Sequence, residues 1–155
     1  MGTSSASSAF RVERLGLVPY GEGLAMQQRL RDARLAGSIP DTVLLLEHPD
    51  VITFGRASRS GHAPPDDSLR AKGYEVFRVN RGGDVTYHGP GQLVGYPILD
   101  LRLRGQDVHV YLRTLESVLI DSLCEFGIEA RTLPGFTGVW LDERTKIASI
   151  GVGVR

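Results

Sequence analysis

Apolar and polar positions alternate along the chain with two distinct periods. From Tyr20 to Ala36, Leu24, Met26, Leu30, Ala33 and Leu35 recur at near-helical spacing among Gln and Arg, and Gly37 follows as a stop. This predicts an amphipathic surface helix. Thr42 to Glu47 is a short continuous apolar run, the pattern of a strand covered on both faces. His48-Pro49 ends it and Val51 to Phe54 resumes an extended pattern. Tyr74 to Val79, Asp84 to His88 and Gln92 to Leu99 are strand-like with glycine-rich turns between them, which predicts a β-meander. Asp107 to Phe126 carries Leu112, Leu115, Leu119, Leu123 and Phe126 on one helical face, with Gly127 at the expected stop. Ile128 to Thr132, Gly138 to Leu141 and Lys146 to Val154 read as short strands. The expected class is α+β, with helices packed on a mixed or antiparallel sheet. Gly55 to Asp67 is rich in Gly, Ser, Pro and Asp and reads as a surface loop that could serve as a lid. Neither a repeat nor an internal domain boundary is visible.

Composition narrows the function. With 155 residues the chain fits one domain, and Lys+Arg and Asp+Glu are 18 each. Neither nucleic acid nor an anionic membrane is favoured as a partner by overall charge. No apolar stretch approaches a membrane span, and residues 1–12 read as a disordered Ser-rich leader, the alternative of a short targeting sequence resting only on Arg11 and Arg14. The single cysteine, Cys124, leaves no intramolecular disulfide and no multi-thiolate metal site, which suits a reducing, cytoplasmic setting. Cys124 is expected as a small buried hydrophobe of the second helix. Only two lysines occur, Lys72 and Lys146, so chemistry that needs an amine has few candidates.

The densest constellation is RGGDVTYHGPGQLVGYP, Arg81 to Pro97. Gly82 and Gly83 beside Arg81 suit close approach of a ligand to bare amides and a guanidinium, an oxyanion-type arrangement. In an extended segment Asp84, Thr86 and His88 share one face, and Val85 and Tyr87 the other, which packs. A β-hairpin whose histidine merely satisfies a carbonyl is the plainer reading of the same residues. No G-x-G-x-x-G or phosphate-loop pattern occurs, which speaks against an ATP-using ligase, and the four histidines show no metal-binding spacing. His62 is expected to be solvated and Trp140 to be core or pocket wall.

RGGDVTYHGPGQLVGYP closely resembles the signature of the lipoyl(octanoyl) transferase family, also called lipoate-protein ligase B. LLLEHPDVITFGR (Leu44 to Arg56), GFTGVW (Gly135 to Trp140) and KIASIGVGV (Lys146 to Val154) resemble that family's other motifs, in the same order. The resemblance extends from about Leu15 to Arg155. It implies a lipoate/biotin ligase-like fold and transfer of an octanoyl group from acyl carrier protein to a lysine of lipoyl domains, those of 2-oxoacid dehydrogenases and the glycine cleavage H protein. It implies no ATP and no cofactor, and an acyl thioester on a cysteine. Lys146 matches the lysine that lowers the thiol pKa of that cysteine. Arg81, Gly82, Gly83, Asp84, Val85, Thr86, Tyr87 and His88, with Ser149, Ile150 and Gly151, match the segments that bind the acyl substrate. An ammonium near a thiol favours thiolate, and the same group as free amine can take the incoming lysine's proton.

The family's nucleophile sits in a P-C-G motif that follows an H-G-x-A-L-N motif, and neither occurs in the 155 residues. The expectation is that residues 13–155 are the amino-terminal portion of an octanoyltransferase catalytic domain, cut before its nucleophile and inactive alone. The alternatives are a non-catalytic paralogue that binds acyl groups or carrier proteins, and a lipoate or biotin ligase. A cut chain would expose an apolar strand edge at Ile147 to Val154.

Overall fold

The computed structural model describes residues 10–59 and 61–153, the side chain of Arg104 excepted. Where the sequence shows no boundary, the fold forms two compact units: one runs to Asn80 and resumes over Asp84–Asp100, and the other takes Arg81–Gly83 and the chain from Leu101 onward.

The first unit repeats one construction twice. β1 (Arg11–Leu17) leads through helix α1 (Tyr20–Leu35) to β2 (Thr42–Glu47), which pairs with β1 in parallel. β3 (Val51–Phe54) leads through the short helix α2 (Asp66–Ala71) to β4 (Glu75–Arg78), again in parallel. Parallel strands need such a crossover. Each pair then gains an antiparallel strand: β5 (Val85–His88) beside β3, and β6 (Val94–Ile98) beside β2. The sheet orders are therefore β1-β2-β6 and β4-β3-β5. The expected meander is corrected by this order, because β4 and β5 do not pair with each other and β6 joins the other sheet. Strand periodicity reports which residues are extended, not which strands are neighbours.

Three other expectations change here. β1 begins at Arg11, so residues 11 and 12 are strand rather than leader, while residues 1–9 lie outside the described residues. The loop reading of Gly55 to Asp67 stops at Pro65, where α2 starts and buries Leu69. β2 is covered unevenly, with Thr42, Leu44 and Leu46 buried and the residues between them half-buried.

Val18, Leu44, Leu46 and Val94 form one core cluster, joined by Met26 and Leu30 from α1. Phe54, Leu69 and Val76 form the other, joined by Val85. α1 ends where expected: Gly37 adopts φ 71°, and the amides of Gly37 and Ser38 return to the carbonyls of Arg34 and Ala33.

In the second unit, α3 (Val108–Cys124) is capped by Asp107, whose carboxylate accepts from the amides of His109 and Val110 and is thereby held below the usual carboxylate pKa. Leu112, Leu115, Leu119 and Leu123 are half-buried, as their spacing predicts, but Phe126 is exposed beyond the helix. Cys124 is exposed as well, which corrects its assignment as a buried hydrophobe. β7 (Val139–Trp140) and β8 (Lys146–Ala148) form a small antiparallel hairpin. The strand expected over Ile128 to Thr132 reduces to one bridge, Arg131 to Trp140, and that expected over Lys146 to Val154 stops at Ala148. Among the described residues no helix is long and apolar enough to cross a membrane.

A buried ion pair closes the first unit. Asp41 accepts from Arg34 Nε at 2.6 Å and from the Asp100 amide at 3.0 Å, tying the end of α1 to the start of β2 and to the segment after β6. Asp41→Ala leaves Arg34 without its main partner and is expected to cost about 3 kcal/mol. Urea denaturation should show a lower midpoint at unchanged slope. A loss below about 0.5 kcal/mol would class the pair with ordinary surface bridges.

Candidate active site

The residues singled out by the sequence fall into two sets, one in each unit. In the first unit Asp84 precedes β5, which carries Val85 to His88 along β3, with Val51 opposite His88 and Thr53 opposite Thr86. The antiparallel register turns Val85 toward Phe54 and its cluster, as expected. Tyr87, expected to pack on the same face, is instead 48% exposed and donates its hydroxyl to Asp50 at 2.5 Å. That bond, with burial and the nearby Asp50 charge, raises the phenol above its ordinary pKa. Asp84 pairs with His62, so the histidine expected to be merely solvated has a partner.

His88 points toward a buried aromatic group. Its ring stacks on Tyr20 at 6.1 Å between centroids and meets His48 edge-on at 5.7 Å, and its Nδ1 lies 2.6 Å from Gln92 Oε1. His48 is fully buried at the end of β2. Its Nδ1 is 2.6 Å from the Val18 carbonyl and its Nε2 is 2.7 Å from the Tyr96 hydroxyl. A carbonyl only accepts, so Nδ1 carries the proton; in the neutral ring Nε2 then accepts from Tyr96. Burial lowers the His48 pKa, and the Val18 bond and the Glu75 charge only partly oppose it. α1 can approach this ring because residue 23 is glycine: a Cβ there would lie 3.0 Å from His48 Cε1. Tyr20 and Tyr96 carry no local sequence signal, since they meet His48 only through β-sheet pairing and the start of α1.

In the second unit two distant motifs meet backbone to backbone. The Gly82 amide donates to the Val152 carbonyl at 2.9 Å. A Cβ on Gly151 would stand 2.8 Å from the Gly82 carbonyl oxygen and 3.3 Å from Arg81 Cδ, so only glycine fits. The Arg81 guanidinium folds back, donating from Nη1 to the Gly82 carbonyl at 3.0 Å. The Gly82 amide is therefore engaged by Val152 rather than bare, a correction to the oxyanion-type expectation. Gly83, at φ 83°, makes the turn that follows. Of the Ser149-Ile150-Gly151 trio, Gly151 makes this contact, Ile150 is half-buried and Ser149 is exposed.

Lys146 opens β8 opposite Trp140. Its Nζ donates to the Thr137 carbonyl at 2.9 Å and lies 4.5 Å from the centroid of the Trp140 ring. Trp140 is thus the platform for the ammonium as well as a partly buried ring, and its Nε1 is buried without a hydrogen-bond partner. The Thr137 carbonyl is a contact that residue type alone could not mark.

The model of the lipoyl protein ligase A/B catalytic domain family matches residues 19–155. The octanoyltransferase of Solibacter usitatus is 52% identical over 145 residues, covering 91% of this chain and 64% of the relative. That of Geobacter metallireducens is 50% identical over 144 residues, covering 93% and 64%. The chain thus spans about 64% of the length of these curated relatives. Among solved structures, lipoate-protein ligase A bound with ATP matches with TM-score 0.61 at 19% identity, over 80% of this chain and 50% of that one. The bipartite lipoate protein ligase from Thermoplasma acidophilum, studied with its E2 lipoyl domain, matches with TM-score 0.60 at 21% identity, over 83% and 49%. These likenesses establish a lipoate ligase-like α+β fold.

Two outcomes test the geometry. Burial holds the folded-state pKa of His48 below the value of about 6.5 near which the unfolded chain protonates it. Stability contributed by this site is therefore complete above that pH and declines as pH falls below it. Urea midpoints measured through this range should show that decline in the wild type and a weaker one in His48→Gln. Gly151→Ala should lower the stability of the second unit by about 1–3 kcal/mol through steric conflict with Gly82; an unchanged thermal midpoint would contradict the close backbone approach.

Proposed function

We propose, since this chain belongs to the lipoyl protein ligase A/B catalytic domain family, that it supplies the acyl-binding and ammonium-bearing part of an octanoyltransferase. The reaction would move an octanoyl group from acyl carrier protein to a lysine of a lipoyl domain in the cytoplasm, by way of a cysteine thioester. The observation that carries this reading is the meeting of Gly82 with Gly151. The two segments that the resemblance names for acyl binding touch through their backbones, and a side chain on residue 151 would part them.

In the first transfer a thiolate attacks the carbonyl carbon of the octanoyl thioester. The carbon–sulfur bond to the carrier breaks, and the departing carrier thiolate takes a proton from the Lys146 ammonium, which leaves that residue as the free amine. In the second, the acceptor lysine amine attacks the new thioester, the cysteine sulfur departs, and the amine's proton passes to a base. Lys146 fits both steps, as the cation that favours thiolate and then as the amine that takes the proton. Its Nζ is held on the Thr137 carbonyl and over Trp140, a fixed position for a long flexible side chain. The thiol itself would come from a P-C-G segment, which these 155 residues do not contain. Arg81, Gly82 and Gly83, together with Ser149, Ile150 and Gly151, would line the acyl substrate in the second unit on this reading.

The test is intact mass after incubation with octanoyl-acyl carrier protein. A protein joined to the P-C-G segment should gain one octanoyl group that hydroxylamine removes, whereas the 155-residue chain should gain none. Lys146→Ala in the joined protein should slow transfer on the order of 100-fold or more, with Lys146→Arg restoring thioester formation better than the second transfer. Addition to the 155-residue chain would instead make the exposed Cys124 an acyl acceptor, and equal rates in Lys146→Ala would remove Lys146 from the mechanism.

A further inference from the structure

We propose that Glu116 of α3 positions Lys146 through a single peptide group, that of Thr137 and Gly138. Glu116 is fully buried, a rare state for a carboxylate unless its oxygens are engaged. Oε2 accepts from Arg113 Nη1 at 2.5 Å. Oε1 reaches away from the helix and accepts from the Gly138 amide at 2.9 Å. The carbonyl of that same peptide is the one that receives Lys146 Nζ at 2.9 Å.

A trans peptide directs its N–H and its C=O to opposite sides, and the described chain contains no cis bond. The carboxylate therefore acts on one side of the peptide plane and the ammonium on the other. Negative charge at the N–H end and positive charge at the C=O end polarise the peptide in the same sense, so each bond strengthens the other. Gly138 makes the arrangement possible: at φ 112° a Cβ would lie 2.5 Å from the Ala148 carbonyl oxygen and 3.2 Å from Lys146 Cε. β8 consequently lies close enough to β7 for the lysine to reach back to Thr137. Glu116 touches neither the lysine nor any reacting atom, and is a positioning residue. Its significance for acyl transfer rests on the role proposed for Lys146, but the coupling itself does not.

The chain offers an internal reference, because Lys72 is the other lysine. Trace labelling with isotopic acetic anhydride, followed by peptide mass spectrometry across neutral to alkaline pH, reads the reactivity of Lys146 relative to Lys72. Glu116→Gln keeps an acceptor for the Gly138 amide and removes the charge. It should raise the Lys146 to Lys72 ratio by about fivefold or more, leaving Lys72 unchanged. A ratio within about twofold of the wild type, in a variant that melts like the wild type, would reduce Glu116 to a structural pin and overturn the proposal.

Coupling is reciprocal, so Lys146→Met, at an exposed position, provides a second reading if the Glu116 variant does not fold. Loss of the ammonium should shift the Gly138 amide proton upfield and hasten its exchange, and an unmoved resonance would overturn the proposal. The two readings separate cleanly. Acyl transfer independent of Lys146 would defeat the proposed function and leave the coupling standing. Lys146-dependent transfer with no response to Glu116→Gln would do the reverse.

Discussion

A buried imidazole with no access to water organises the first unit. His48 stands where β2 ends, and its two nitrogens reach in opposite directions, to the carbonyl just before α1 and to a hydroxyl on β6. A buried ring with one nitrogen unsatisfied would be costly, so the donor–acceptor order fixes the tautomer and with it the placement of both neighbours. Around this ring gather Tyr20, Tyr96 and His88, from the start of α1 and from strands of both sheets. The absence of a side chain at Gly23 lets the helix come down onto it. The aromatic group beside β5 is thus a consequence of one hydrogen-bonded side chain and one missing Cβ.

The second unit is organised by backbone proximity instead. Gly82 against Gly151, and Gly138 against Ala148, are approaches that any larger residue would prevent. They bring polar backbone atoms and one cation into fixed relation without a large apolar core; among the described hydrophobic residues of this unit Val139 alone is buried. A buried carboxylate on α3 reaches the same loop. The chemistry-bearing residues lie on loops and short strand ends, where amides and carbonyls remain available for such contacts.

Sequence and structure part company in instructive places. α1, β2, β3, α3 and the Leu stripe of α3 follow from periodicity and stop signals, because burial of one face imposes that spacing, but Leu35, expected on the apolar face of α1, is exposed at its last residue. β1 was obscured by its polar residues, and α2 by the Gly, Ser and Pro that precede it. The exposure of Cys124 and Phe126 follows from their places at and beyond the last turn of α3, where the helical stripe no longer meets a neighbour. The segment around Arg81 shows the same limit: its glycines mark close approach, but only the fold shows that Val152, rather than a ligand, takes the Gly82 amide.

What the amino-acid sequence determined by itself was local and chemical. It sets which stretches are helical or extended, that Lys146 is one of two lysines, and that the glycine-rich motifs belong together with a family signature. Tertiary structure alone decided strand order, the meeting of Gly82 with Gly151, the imidazole bridge from Val18 to Tyr96 and the seat of Lys146 on Thr137 and Trp140. The reason is physical. Propensity and periodicity act over a few residues, whereas hydrogen-bond partners and close backbone contacts join residues far apart in sequence, and no local pattern encodes their distance.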